Sequence, residues 1–308
     1  MSKKIYFFID DNIWAFRQLA ERKPESIFDV PFFGMLKGAH DNYGLKVQLN
    51  LFYQTDESYG EGTFTLAEVP DTYKSEWEAN SDWLKLAYHA KKEFPNFPHL
   101  NIDYDDMYNT FKNIEREVFR FAGEKSFTYV TCAHWVPVSK DGVQALYDCG
   151  VPLLYASYGD PFEYDPETSD LTPDCVELLL DNRKPESKCY KKFINRDYYL
   201  TSLCSYNNIS SEDEKRIYGT FDYITDEETG MKFKCYSTGI CLNSSTLESL
   251  PERFEKQKDQ EYVCIFTHEQ YYHDFYVNYQ PDTAEKYNLM AKYFTEHGFE
   301  FFFLDEIL

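Results

Sequence analysis

Two adjacent carboxylates, Asp10 and Asp11, close the apolar run Lys4-Ile5-Tyr6-Phe7-Phe8-Ile9, and Asn12 follows them. Three histidines, His89, His134 and His268, close three further apolar runs. Carboxylates this close repel, so a proton, a cation or solvent must neutralise one of them. Divalent zinc, iron or cobalt takes imidazole and carboxylate ligands together and keeps a position open for water. Water on such an ion is a usable nucleophile near neutral pH. A second carboxylate can take its proton, and a histidine opposite can protonate the leaving group. Asp11 as ligand, Asp10 as base and His268 as acid meet these needs, so the chemistry expected is metal-assisted hydrolysis.

These groups need strands to carry them. Seven apolar runs read as strands, at 4–9, 46–53, 83–89, 127–134, 151–157, 262–268 and 299–304. Most are continuously apolar, as suits parallel strands covered on both faces. Helical spacing lies between them, in Phe32, Met35, Leu36 and Ala39, over 103–122, from Val143 to Cys149, and from Ala284 to Phe294. Glycine follows closely behind each. Strand–helix alternation predicts right-handed βαβ units, an α/β fold of (β/α) barrel type with its site at the C-terminal strand ends. The stretch 159–260 breaks the rhythm and is too long for a plain loop. It is expected to be an insertion or cap between the fifth and sixth strands of a single domain whose core is 1–158 and 261–308. Within it, Tyr218–Ile224 and Met231–Tyr236 flank Asp226-Glu227-Glu228-Thr229-Gly230, a hairpin pattern.

Composition narrows the function. The 308 residues carry 31 basic and 53 acidic side chains, a formal charge of −22. That field repels phosphate backbones and anionic membranes, so neither nucleic acid nor membrane is an expected partner. No apolar stretch approaches a membrane span. Eight cysteines occur without a C-x-x-C pair and without an export signal, which reads as reduced thiols and a cytoplasmic location. Aromatic residues reach 19%. Most belong to a core, but Trp14, Tyr53, Trp135 and Tyr271-Tyr272 lie next to the strand ends, where a ring can stack on a sugar face.

Ile9-Asp10-Asp11-Asn12 resembles the opening Thr-Phe-Asp-Asp-Gly motif of the NodB-like polysaccharide deacetylases, carbohydrate esterase family 4. The resemblance implies that Asp10 is the base and Asp11 a metal ligand. The family's His-Ser/Thr-x-x-His motif is matched at His89 by His89-Ala90-Lys91-Lys92-Glu93, with Glu93 in the place of the second histidine. Either Glu93 completes an Asp–His–carboxylate set, or the set is one ligand short. His99 is a nearby substitute. Thr267-His268 resembles the late Leu-x-His motif, which implies that His268 is the acid. Gly298-Phe299-Glu300-Phe301-Phe302-Phe303-Leu304 resembles the final strand. The family's Arg-x-Pro-Tyr motif has no arginine counterpart in Cys132-Ala133-His134-Trp135-Val136-Pro137, and His134 there could orient the base or bind metal. The resemblance covers about 1–157 and 262–308, and implies a distorted seven-stranded barrel.

The activity expected is removal of an acetyl group from an amino sugar or glycan fragment through metal-activated water. The metal expected is zinc, with cobalt, nickel or iron as alternatives. A second reading is a carbohydrate-binding protein on a degenerate deacetylase scaffold, suggested by the altered histidine pair. A third, a glycoside hydrolase, needs two separated carboxylates flanking the glycosidic bond. Adjacent Asp10 and Asp11 do not supply that pair. The sequence leaves the oligomeric state open.

Overall fold

The computed structural model describes residues 3–56, 62–95, 97–158, 205–235 and 240–308. In chain order the strands are β1 (Lys3–Asn12), β2 (Val47–Phe52), β3 (Leu84–Ala90), β4 (Leu153–Tyr155), β5 (Ser157–Tyr158), β6 (Asn208–Ile209), β7 (Ile224–Thr225), β8 (Lys232–Lys234), β9 (Ile240–Cys241), β10 (Tyr262–His268) and β11 (Phe299–Phe301). The helices are α1 (Trp14–Arg22), α2 (Pro31–Tyr43), α3 (Lys74–Ala79), α4 (Tyr104–Phe121), α5 (Lys140–Asp148), α6 (Ser211–Ile217), α7 (Leu250–Glu255) and α8 (Thr283–Glu296).

The central sheet is parallel, in the order β3-β2-β1-β10-β9, and β11 pairs with the start of β1. Two smaller sheets are β4-β8-β7 and β5-β6. Isolated parallel bridges, Leu86 to Phe127 and Thr131 to Leu154, connect β3 through 127–131 to β4. Among the described residues no ladder joins β8 to β9.

The period of two along each strand sorts side chains into two cores. Ile5, Phe7 and Ile9 of β1, Val263 and Ile265 of β10 and Leu154 of β4 pack outward, among helix residues such as Phe16, Leu36, Phe111 and Met290. Tyr6 and Phe8, Tyr262 and Cys264, Leu153 and Tyr155, and Val130 and Cys132 meet in a separate inner cluster. Strands from three separate parts of the chain share that cluster, so the sheets curl around it. The site residues continue its parity: Asp10 follows Tyr6 and Phe8, His268 follows Tyr262 and Cys264, and His134 follows Val130 and Cys132.

Several expectations change. The run 127–134 forms bridges rather than a regular strand. Its threonine hydroxyls take up main-chain groups, with Thr131 Oγ1 donating to the Tyr88 carbonyl and Val130 N donating to Thr128 Oγ1 at 3.4 Å. Such side-chain bonds compete with a ladder. The stretch expected as an insertion is described only in part, and that part pairs with the rest of the chain. Ile240 and Cys241 pair with Ile265 and Phe266 in the central sheet, and β8 pairs with β4. Ile217, Phe233, Leu242, Leu250 and Phe254 belong to the outer core. Residues 159–204, and with them Cys175, Cys189 and Cys204, lie outside the described residues. The expected hairpin forms between β7 and β8, with Asp226 N donating to the Met231 carbonyl at 2.8 Å. Helix α1 has no start signal of its own, because Ile13 at its N-cap offers no side-chain acceptor.

Candidate metal centre

The two aspartates share one pocket despite being neighbours on a strand. Successive strand residues point to opposite faces. The β1–β2 register shifts between Ile9 and Asn12, and Asp11 sits in the left-handed region at φ 64°. A bulge of this kind re-aims a side chain. Asn12 secures the turn, its Nδ2 donating to the Asn50 carbonyl at 3.0 Å.

Three ligand atoms converge. Asp11 Oδ1 lies 3.0 Å from His89 Nε2 and 3.1 Å from His134 Nδ1, and the two nitrogens are 3.1 Å apart. The far side of each ring is fixed by a main-chain carbonyl. His89 Nδ1 donates to Cys132 O at 2.7 Å, and His134 Nε2 donates to Glu93 O at 3.0 Å. Each ring therefore turns a lone pair toward Asp11 Oδ1. Asp11 Oδ2 accepts from Gln270 Nε2 at 2.7 Å. Three acceptors facing one another need a shared proton or a cation. Their spacing is close to the ~3.3 Å between ligands of a tetrahedral ion with ~2.0–2.1 Å bonds. Carbonyls on the outer nitrogens are the usual support of ligating histidines. The donor set Asp11–His89–His134, all buried, fits a divalent ion of the borderline class.

The electrostatics agree. Burial opposes the charge on Asp11, but His134 and His89 hold its carboxyl well below the usual range. Burial would lower His89, yet the charges of Asp10 and Asp11 raise it. His134 is lowered, chiefly by burial.

Glu93, expected as the third ligand, does not join the group. The chain leaves β3 into an irregular loop, so the i, i+4 spacing from His89 does not place two side chains on one helix face. The Glu93 carboxylate lies 4.0 Å from His134 Nε2, and burial first, then Asp11, pushes its pKa up to about 8. Its main-chain carbonyl is the part that supports the site. His99 is also outside the group, meeting the Tyr88 hydroxyl at 2.9 Å.

Asp10 and His268 are register partners on adjacent strands. Asp10 Oδ1 accepts from Asn50 Nδ2 at 2.7 Å and lies 3.6 Å from His89 Nδ1. Gln48 Nε2 donates to Asn50 Oδ1 at 2.7 Å and to the Val130 carbonyl, which fixes the Asn50 amide orientation. Burial raises the pKa of Asp10, partly offset by His89 and His268. His268 Nδ1 donates to Asn243 Oδ1 at 2.9 Å, leaving Nε2 for the pocket. Burial would lower His268, but Cys241, Asp11 and Asp10 outweigh it and push the pKa up to about 10. Sequence reading missed Asn50, Asn243 and Gln270. Asn50 and Gln48, two residues apart in an otherwise apolar strand, were the available signal.

A pocket of about 440 Å³ contains Asp10, Asp11, His89, Glu93, His134 and His268, with Trp135, Tyr271 and Tyr276 on its walls. Trp135 is 39% exposed and stands beside Phe97, ring centres 5.1 Å apart. Trp135 and Val136 are both left-handed, at φ 62° and 76°, an uncommon pairing that clusters at functional sites. Of the other aromatics expected at the rim, Tyr271 lines the pocket and Trp14, Tyr53 and Tyr272 are elsewhere. Trp14 is buried under Phe275, and Tyr53 packs on the outer core. His273 is buried against Glu269.

No protein-family model matches the chain, and no curated protein matches it. Among solved structures it is similar to the 4-alpha-glucanotransferase of Thermococcus litoralis, at 10% identity and a TM-score of 0.52. That superposition covers 100% of this chain and 40% of the other, so the chain spans well under half of that enzyme's length. The likeness bears on the fold alone. A family 4 acetyl xylan esterase from Clostridium thermocellum, in complex with a cobalt ion, superposes at 11% identity and a TM-score of 0.42, over 99% of this chain and 90% of that one. The Xyl-CE4 domain of a multidomain xylanase from the hindgut metagenome of Trinervitermes trinervoides gives 12% and 0.33, over 77% and 98%. Neither of these two scores carries weight for function.

Proposed function

We infer that this chain is a metal-dependent hydrolase that removes an acetyl group from an acetylated amino sugar or glycan fragment. The observation that carries the reading is the convergence of Asp11 Oδ1, His89 Nε2 and His134 Nδ1, each ring turned inward by a main-chain carbonyl behind it. A divalent ion held by these three, zinc by preference, would polarise the acyl oxygen and acidify a water. Asp10 sits beside that trio and takes the proton of the attacking water. His268, its Nδ1 committed to Asn243, protonates the departing nitrogen or oxygen from Nε2. Trp135, Tyr271 and Tyr276 offer ring faces to a sugar. Among the described residues no lysine or arginine lines the pocket, which suits a neutral or amine-bearing substrate. A complete ligand trio with both proton-transfer groups weighs against a purely binding role.

Metal analysis of the purified protein tests this, with Asp11→Ala, His89→Ala, His134→Ala and Glu93→Gln alongside. About one ion per chain is expected in the wild type and in Glu93→Gln, and none in the three alanine variants. The wild type should release acetate from N-acetylated oligosaccharides. No metal after reconstitution would sink the hydrolase and leave the binding protein in its place.

A further inference from the structure

Glu269 is fully buried, and its carboxylate is held by main-chain N–H groups and an imidazole, with no lysine or arginine against it among the described residues. Its Oε2 accepts from the main-chain N–H of Ile13 at 2.6 Å and of Trp14 at 3.0 Å. Its Oε1 accepts from Ala15 N at 2.6 Å and from His273 Nε2 at 2.9 Å. These are the first N–H groups of α1, which ordinarily find a Ser, Thr, Asp or Asn at the N-cap. The chain puts Ile13 there and brings the cap from the far end of β10, more than 250 residues away. A local serine would satisfy one of these donors. The remote carboxylate does something more, because it ties the end of β10 to the turn after Asp11. The next residue, Gln270, makes a second tie, with Nε2 donating to Asp11 Oδ2 at 2.7 Å.

The geometry points to Glu269 and Gln270 as a two-point clamp that sets the ligand geometry of Asp11. Asp11 departs from strand geometry at φ 64°, a left-handed conformation that aspartate adopts more readily than most residues, and the two ties hold it there. Glu269 holds the chain on the helix side of the turn, and Gln270 holds the carboxylate, so that Oδ1 alone meets the histidines. Both are positioning residues, and they act on metal affinity through Asp11. This rests on the metal reading above.

Cobalt(II) alone is the probe, titrated into metal-free wild type, Glu269→Gln, Gln270→Ala and Leu36→Ala and followed by its visible d–d bands and by calorimetry. Leu36 is fully buried in the outer core and supplies a reference for simple destabilisation. Glu269→Gln and Gln270→Ala should bind Co2+ about 10–100-fold more weakly, with altered bands, as supporting residues of metal ligands do. Leu36→Ala should melt earlier yet bind Co2+ like the wild type. If Glu269→Gln does not fold, Glu269→Asp, whose shorter carboxylate cannot reach all four donors, makes the same comparison. Wild-type affinity and unshifted bands in both clamp variants overturn the clamp and leave the metal site standing. A wild type that binds no Co2+ overturns both.

Discussion

At the scale of single residues, the site is a set of protonation states fixed by partners. The carbonyls of Cys132 and Glu93 decide which nitrogen of His89 and His134 is bare. The Asn243 oxygen does the same for His268, and the Asn50 amide keeps one oxygen of Asp10 occupied. Raised pKa values at both Asp10 and His268 have opposite consequences for their roles. The base works only above its pKa and the acid only below, so activity should fall on the acid side through Asp10 and on the alkaline side through His268. The stability linkage of His268 has a definite sign. Its pKa rises from 6.5 to about 10 in the folded metal-free protein, so the stability it contributes is full below 6.5 and is lost as pH climbs toward 10. Urea titrations of metal-free wild type and His268→Gln should therefore show a gap that narrows between those pH values. A gap that stays constant would mean that His268 is neutral in the fold.

At the scale of elements, helix ends and strand ends do the positioning. Helix α1 is capped from β10 at one end and closes at the other with Lys23 in the left-handed region, φ 47° and ψ 54°, its N–H donating to the Leu19 carbonyl. Lys23 is exposed, and a side chain in that conformation strains the backbone where glycine would not. Lys23→Gly should stabilise the protein by about 0.5–1 kcal/mol, the strain relieved less the entropy glycine loses on folding. A denaturant midpoint that drops instead would show that the lysine side chain contributes more than its backbone costs. The spacing of apolar residues fixed α2, α4, α5 and α8 closely, because their buried faces repeat every three to four residues. It could not reveal α1, since a helix whose cap comes from Glu269 carries no local start signal.

At the scale of the whole molecule, the charge of −22 is spread over a surface whose ion pairs are mostly short-range. Arg17–Glu21, Lys37–Asp41 and Lys292–Glu296 are pairs of neighbouring helix turns. Each is worth little on an exposed surface. Repulsion among the excess carboxylates acts over longer distances and is screened by salt. The melting temperature should rise by a few degrees between about 20 mM and about 0.5 M sodium chloride. A fall would mean that the ion pairs outweigh the repulsion. No helix among the described residues is long and apolar enough to cross a membrane.

The sequence by itself determined the α/β alternation and the strands that deliver Asp10, Asp11, His89 and His268. These follow from apolar runs and from the 3.6-residue spacing between them, which a local window contains. His134 was legible as a strand-end residue that could orient the base or bind metal, and Glu93 was preferred as third ligand because it lies four residues from His89. Only the tertiary structure shows that His134, and not the Glu93 carboxylate, lies against Asp11 and His89. A ligand set is a relation of distances among strand ends. The β1 bulge, the loop after β3 and the register of 127–134 set those distances, and none of them has a period that the sequence displays. The same holds for Asn243, Glu269 and Gln270, polar residues whose partners are distant in the chain and are brought near only when β9, β10 and β1 lie side by side.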